Sequence, residues 1–152
     1  MGVPNVSKIG DFLTPRGAVG DFTVTSGAGH DNVAQTGNSC DRLDYESASI
    51  ILAGIASISA TFFLTAKIQL QDSADNSSWN AAVTLQAATN VVVGAVSNAY
   101  FVMPRLDLNL NTYNRYVRLV VTMQATKGSV DTYAWAAAFV LGGAVNKPAL
   151  AS

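Results

Sequence analysis

The sequence predicts an all-β fold, an antiparallel β-sandwich of jelly-roll type entered through an extended Gly/Pro-rich N-terminal arm. Three observations carry this reading. From Leu43 onward apolar side chains recur with a period of two rather than 3.6. Seven or eight such runs succeed one another, divided by Gly, Asn and Pro turns, which is the spacing of a sandwich. Nowhere does a helical apolar stripe emerge. Residues 80–89 come nearest, with Ala and Gln favouring a helix and Val and Thr opposing it, and that segment stays open.

Residues 1–42 read as arm and loops, and residues 43–152 as the sandwich domain. In the first part Gly2, Pro4, Gly10, Pro15, Gly17, Gly20, Gly27, Gly29 and Gly37 interrupt every apolar cluster, and only the run DFTVT from Asp21 to Thr25 looks like a strand. A long structureless stretch is costly inside a lone compact domain. An arm that orders on a partner removes the difficulty.

Residues 47–66 carry no charge and approach the length of a membrane span. Ser47, Ser49, Ser57, Ser59, Thr61 and Thr65 populate the stretch, with Gly54 inside it. Two strands joined near Ala56 and Ser57 account for it better, and no membrane partner is expected. The clearest strand covers residues 60–71. Ala60, Phe62, Leu64, Ala66, Ile68 and Leu70 form one face, while Thr61, Thr65, Lys67, Gln69 and Gln71 form the other. Asp72 to Ser78 is a turn cluster that reverses the chain before Trp79.

A short strand is expected at residues 82–85, and another at 97–103 that ends on Pro104, which has no N–H to give to a ladder. Leu106, Leu108 and Leu110 alternate with Asp107 and Asn109. Residues 115–124 set Val117, Leu119, Val121 and Met123 on one side. Residues 132–141 are apolar on both sides, with Ala134, Ala136, Ala138 and Val140 against Tyr133, Trp135, Ala137, Phe139 and Leu141. A strand apolar on both faces is covered on both faces. A two-layer sandwich supplies one cover, so the other is expected from a neighbour.

Composition points the same way. Charged residues are 12% of the chain, about half the usual share. Little self-repulsion then opposes association. Nine Lys and Arg balance ten Asp and Glu without forming runs, which leaves no basic stripe for nucleic acid. The N-terminal residues lack the basic and apolar regions of a signal peptide. A single cysteine, Cys40, excludes an internal disulfide framework and multi-cysteine metal sites.

Catalytic chemistry is scarce. His30 is the only histidine and sits in a Gly-rich loop. Pairing it with Asp31 or Cys40 gives no base held by a carboxylate on rigid structure. Glu46 is the only glutamate. Asp44 and Glu46 near Asp41 and Arg42 read as a solvated strand entry before a cation site. Asp72, Asp75 and Asn76 lack calcium-loop spacing and read as a hairpin turn. No enzyme activity, metal or cofactor is expected.

Several stretches resemble small head proteins of tailed bacteriophages, across residues 40–145. They are Asp44-Tyr-Glu-Ser-Ala-Ser-Ile-Ile-Leu-Ala-Gly-Ile-Ala, Lys67-Ile-Gln-Leu-Gln-Asp-Ser-Ala-Asp-Asn-Ser-Ser-Trp, Arg115-Tyr-Val-Arg and Ala138-Phe-Val-Leu-Gly-Gly. The resemblance implies a decoration, or cement, protein on the outer capsid surface of a virion, made in the host cytoplasm. Its partners would be the major capsid protein and itself, as a homodimer or homotrimer. On that reading Val3, Val6, Ile9, Phe12 and Leu13 are the expected capsid contacts. Tyr133, Trp135 and Phe139 are the expected subunit interface. The hairpin from Gln71 to Trp79 also resembles carbohydrate-binding and tail-fibre sandwiches. In that alternative Trp79, Tyr100 and Tyr113 on loops stack on sugars.

Overall fold

A computed structural model describes residues 14–59, 62–126 and 131–144. The capsid contacts expected at Val3, Val6, Ile9, Phe12 and Leu13 lie outside the described residues. Ten strands follow in order: β1 (Thr14–Thr25), β2 (Gln35–Thr36), β3 (Cys40–Asp41), β4 (Tyr45–Ile58), β5 (Phe63–Ser73), β6 (Val83–Val93), β7 (Val96–Val102), β8 (Leu106–Asn109), β9 (Tyr116–Ala125) and β10 (Thr132–Ala144). A single 3-10 turn, Leu110–Thr112, is the only helical segment among the described residues.

Two five-stranded antiparallel sheets result. The first runs β1-β10-β4-β7, with β8 extending the β7 position along β4. The second runs β2-β9-β5-β6, with β3 extending the β2 position along β9. Early and late strands alternate within each sheet, and the chain crosses between the sheets at every connection except β2 to β3, β5 to β6 and β7 to β8, which is the double Greek key of a jelly roll. The expected fold class is therefore the observed one.

Period-two alternation builds the core. Leu64, Ala66, Ile68 and Leu70 of β5 and Val117, Leu119, Val121 and Met123 of β9 are all buried, as their spacing predicts. Ala48, Ile50, Leu52, Ala56 and Ile58 of β4 meet them from the other sheet, together with Tyr133, Trp135, Ala137, Phe139 and Leu141 of β10.

The sandwich begins earlier than residue 43. β1 pairs with β10 from Thr14↔Leu141 to Thr25↔Thr132, and Val19 and Val24 are buried in the core. Glycine breaks the apolar pattern in this segment without breaking the strand. Gly20 sits where a Cβ would lie 2.5 Å from the Trp135 carbonyl oxygen, so the bare backbone is what permits the pairing. Residues 14–42 thus contribute three strands.

Two other boundaries differ from expectation. β4 continues unbroken through Ala56 and Ser57, and the chain turns only after Ile58. Gly54 does not end the strand because its missing side chain makes room for the Phe101 ring. The short strand expected at 82–85 is an eleven-residue strand, and the segment left open at 80–89 is extended. Val and Thr content there prevails over Ala and Gln, since β5 offers a partner ladder.

Candidate functional site: an apolar outer face

The candidate catalytic residues are dispersed. His30 is in an exposed turn, while the Cys40 thiol is buried in the core, which separates the suggested nucleophilic pair. Asp31 serves the fold: its carboxylate accepts from the Gly27 and Ala125 backbone N–H groups (2.7 and 2.8 Å) and from the Tyr133 hydroxyl (2.9 Å). Asp41 is paired with Arg115 at 2.7 Å, and the hydrogen bond from that guanidinium holds its carboxyl below the usual range. Arg42 donates to the Tyr113 and Asn114 carbonyls, closing the end of the sandwich. No group of three potential metal ligands occurs among the described residues.

The Asp72–Ser78 turn forms as its composition predicts. Asp75 accepts from the Ser78 and Ser77 backbone N–H groups (2.8 and 2.9 Å), and these bonds push its pKa well below the carboxylate range. Asn76 takes the left-handed conformation, φ 61°, that asparagine tolerates in turns. Burial works to raise Asp72, but the Asn114 N–H and the Asn80 side-chain amide outweigh it and hold the carboxyl down.

Trp79, Tyr100 and Tyr113 do not converge on a sugar platform. The Trp79 ring is stacked by the Arg118 guanidinium, 3.9 Å from its centroid, on the outside of the β9 sheet. Tyr100 projects from strand β7 on the outside of the opposite sheet. Tyr113 is half-buried against the core beside the 3-10 turn.

The unusual feature is a contrast between the two outer faces. Outside the β9 sheet, Lys67, Gln69, Gln71, Arg118 and Thr122 make the centre of the face polar, with Arg118 donating to Gln71 at 3.0 Å, and the exposed Val93 stands opposite Phe63 at the β6 edge. Outside the β10 sheet the same strand geometry presents Ile51, Ala53 and Ile55 of β4, Tyr100 and Val102 of β7, and Ala134, Ala136 and Ala138 of β10. Register makes these residues contiguous. Ala53 lies between Val102 and Ala136, Ile55 between Tyr100 and Ala134, and Ile51 opposite Ala138. Tyr100 is 86% exposed, Val102 70% and Ile51 45%.

An open groove of about 400 Å³ runs over this surface, floored by Ala53, Ala134 and Ala136 and bordered by Ile55, Tyr100 and Val102. At one end it meets a smaller hollow of about 140 Å³, lined in part by Ser57, Asn98 and Thr132. There the Asn98 backbone N–H donates to Ser57 Oγ at 3.0 Å. Beyond the other end lie Ser49, Asp107 and Arg105, the last two in an exposed ion pair. No charged residue occurs anywhere between Asp75 and Arg105, the span that supplies β6 and β7, the outermost strands of both sheets on one flank.

β10 is apolar on both sides, as its sequence shows, but the sides are assigned differently from expectation. Tyr133, Trp135 and Phe139, the expected subunit interface, are buried against this chain's own opposite sheet, at 3%, 5% and 0% exposure. Inward placement of the large rings fills the space between the sheets, and the alanines are left outside. The exposed Tyr100 and Ile51 were legible only as members of the unbroken apolar runs Tyr100-Phe101-Val102 and Ile50-Ile51-Leu52.

Comparisons with known proteins bear on the fold. No family model matches the sequence, and no curated protein matches it. Among solved structures, similar ones are viral capsid proteins from particles of infectious bursal disease virus. The Gt strain chain has 14% identity and a TM-score of 0.53, over 90% of this chain and 33% of that one. The Gx strain chain has 14% identity and a TM-score of 0.52, over 89% and 33%. A chain of the T13 viral particle has 15% identity and a TM-score of 0.51, over 88% and 32%. This chain therefore spans about a third of the chains it matches, and what it shares with them is the capsid-like β-sandwich.

Proposed function

We propose that this chain is a structural component of a virus particle, a decoration protein that binds the outer surface of a bacteriophage capsid and bridges its major capsid subunits. The observation that carries the reading is the contrast between one polar and one apolar outer face on the same sandwich. A free monomer gains nothing from an uncharged, largely apolar sheet surface, whereas a building part needs one. The capsid-like fold and the dispersal of titratable groups support the reading.

The mechanism is mass action. A protein that binds the assembled shell and not its free subunits moves the assembly equilibrium toward the shell with each bound copy. A standard contact of about 800 Å² per partner suffices for firm binding. Residues 1–13, with Val3, Val6, Ile9, Phe12 and Leu13, are the segment proposed to grip the shell. They immediately precede β1, an outermost strand of its sheet.

Co-sedimentation with particles of the phage that encodes the chain tests the reading. Binding should saturate at a fixed ratio to the major capsid protein and raise the temperature at which the particle releases its genome. Removal of residues 1–13 should abolish binding and leave the sandwich folded. A full chain that fails to bind shells, or that binds carbohydrate on a glycan array in their place, overturns it.

A further inference from the structure

We infer that the apolar face outside the β10 sheet is the contact between two copies of this chain, related by a two-fold axis, with Tyr100 of each copy seated in the alanine-floored groove of the other. This deepens the virion reading by naming the partner of that face, and it stands or falls on a separate measurement.

Shape is the first argument. An isologous contact needs a surface complementary to itself, so a projection and its recess must lie side by side on one patch. Tyr100 is the projection, 86% exposed. Its recess is the groove floored by Ala53, Ala134 and Ala136, on the strands immediately next to it. The hollow at the end of the groove offers Ser57, Asn98 and Thr132, polar partners for a phenol hydroxyl whose ring lies over the alanines.

Charge is the second argument. Near a two-fold axis every side chain faces a region close to its own copy, so a charge placed there meets its like. A foreign partner is free to bring the opposite charge, and complementary charge is how such partners are steered. The patch carries none, and neither does the whole span between Asp75 and Arg105. Among the described side chains, charge returns at its border with Arg105 and Asp107.

Size is the third argument. Three strands spaced ~4.8 Å apart, over about five residues of ~3.3 Å rise, give a footprint of roughly 250 Å². That is the apolar centre of a standard contact of ~800 Å² per partner, with the polar ends of the groove as its rim.

Strand addition at the edge is the competing geometry, and on the flank that borders the patch the β6 and β7 edges are blunted against it. β7 carries a bulge opposite β4 at Asn98, whose φ is 49°, and the strand stops before Pro104. β6 has three register breaks along β5. On this flank the face, not the edge, is left ready to pair.

Light scattering coupled to size exclusion on the full chain should give the mass of a dimer that dissociates on dilution. Tyr100→Lys and Ala136→Arg should each weaken the dimer at least about 30-fold, the loss expected for a central aromatic anchor or a blocked recess. Because both side chains point to solvent in the single copy, far-UV circular dichroism should be unchanged. Thr122→Lys on the polar face should leave the mass as it is. A wild-type monomer at hundreds of micromolar, a different oligomer, or a dimer that persists in both variants overturns the inference. A dimer that dissociates as described but does not bind particles would instead overturn the virion reading alone.

Discussion

Gly54→Ala is the sharpest test of how this sandwich is assembled. Gly54 lies in the middle of β4 with Trp135 of β10 on one side and Phe101 of β7 on the other. A Cβ added there would lie 2.3 Å from the Ala134 carbonyl oxygen and 2.5 Å from the Phe101 ring. The ring can swing aside. The carbonyl cannot, because it belongs to the paired backbone of β10 in the centre of the sheet. Inserting a methyl group into a packed core costs about 1–3 kcal/mol, and backbone obstruction places this case near the top. For a domain of this size each kcal/mol lowers Tm by about 2–4 °C, so a fall of roughly 6–12 °C is expected. Gly27→Ala is the control. Gly27 has a φ of +72° with nothing within 4 Å of the added atom, so its cost is the left-handed backbone alone, about 1 kcal/mol. Differential scanning calorimetry of the three proteins gives the ordering. A Gly54→Ala melting point within 2 °C of wild type, or below that of Gly27→Ala by no margin, would refute the close packing of β7, β4 and β10 at Gly54.

Phe139→Ala removes a fully buried ring and should cost about 3–5 kcal/mol in urea unfolding; a normal midpoint with an altered oligomer mass would return Phe139 to a subunit interface. Asp41, Asp72 and Asp75 all have carboxyls held below the ordinary value of 3.8 in the folded chain. Their contribution is complete above that value and drains away as pH falls through the depressed folded values, so Tm should be level from pH 7 to about 5 and decline below about 4. Asp75→Asn should make that acid decline shallower, and an unchanged slope would show that the turn bonds to Ser77 and Ser78 do not stabilise the fold. Cys40, 2% exposed, should resist a thiol reagent in buffer and react at once in denaturant. Rapid labelling of the native protein would place that strand outside the core.

How far the sequence reaches depends on the contrast between a strand's two faces. β5 and β9 carry apolar residues on one side and polar ones on the other, so Leu64 to Leu70 and Val117 to Met123 announce their burial directly. β10 is apolar on both sides, and alternation alone states that two covers exist without saying which side is inside. Volume settles it: Trp135 and Phe139 fill an intersheet space that alanines would leave empty. The end of β1, Asp21 to Thr25, reads as a strand in the sequence, and its first part was hidden for a different reason. Its glycines lower strand propensity, and only the approach of the Trp135 carbonyl to Gly20 shows why they are needed. The outer patch was hidden because its members come from three strands distant in sequence and meet only through the pairings Ala53↔Val102 and Ala53↔Ala136.

Strands that are apolar on both faces carry a hazard that this fold has to answer. A one-residue slip normally moves polar side chains into the core, and that penalty fixes register. A slip of β4 against β7 would carry no such penalty over residues 50–56, where neither face is polar. Other devices must fix it, and two are visible. The Phe101 ring fits only over the residue that lacks a side chain, Gly54, so a displacement by one places it on Ala53 or Ile55. At the end of the same pairing, Ser57 and Asn98 lock a bulge through the Asn98 N–H bond to Ser57 Oγ. An apolar outer face is thus tolerated because register is held by shape instead of polarity. On this account Gly54→Ala does more than crowd a core: it removes the mark by which β7 finds its place, and its refolding should slow along with its loss of stability. A variant that refolds at the wild-type rate while melting lower would leave crowding as the whole effect.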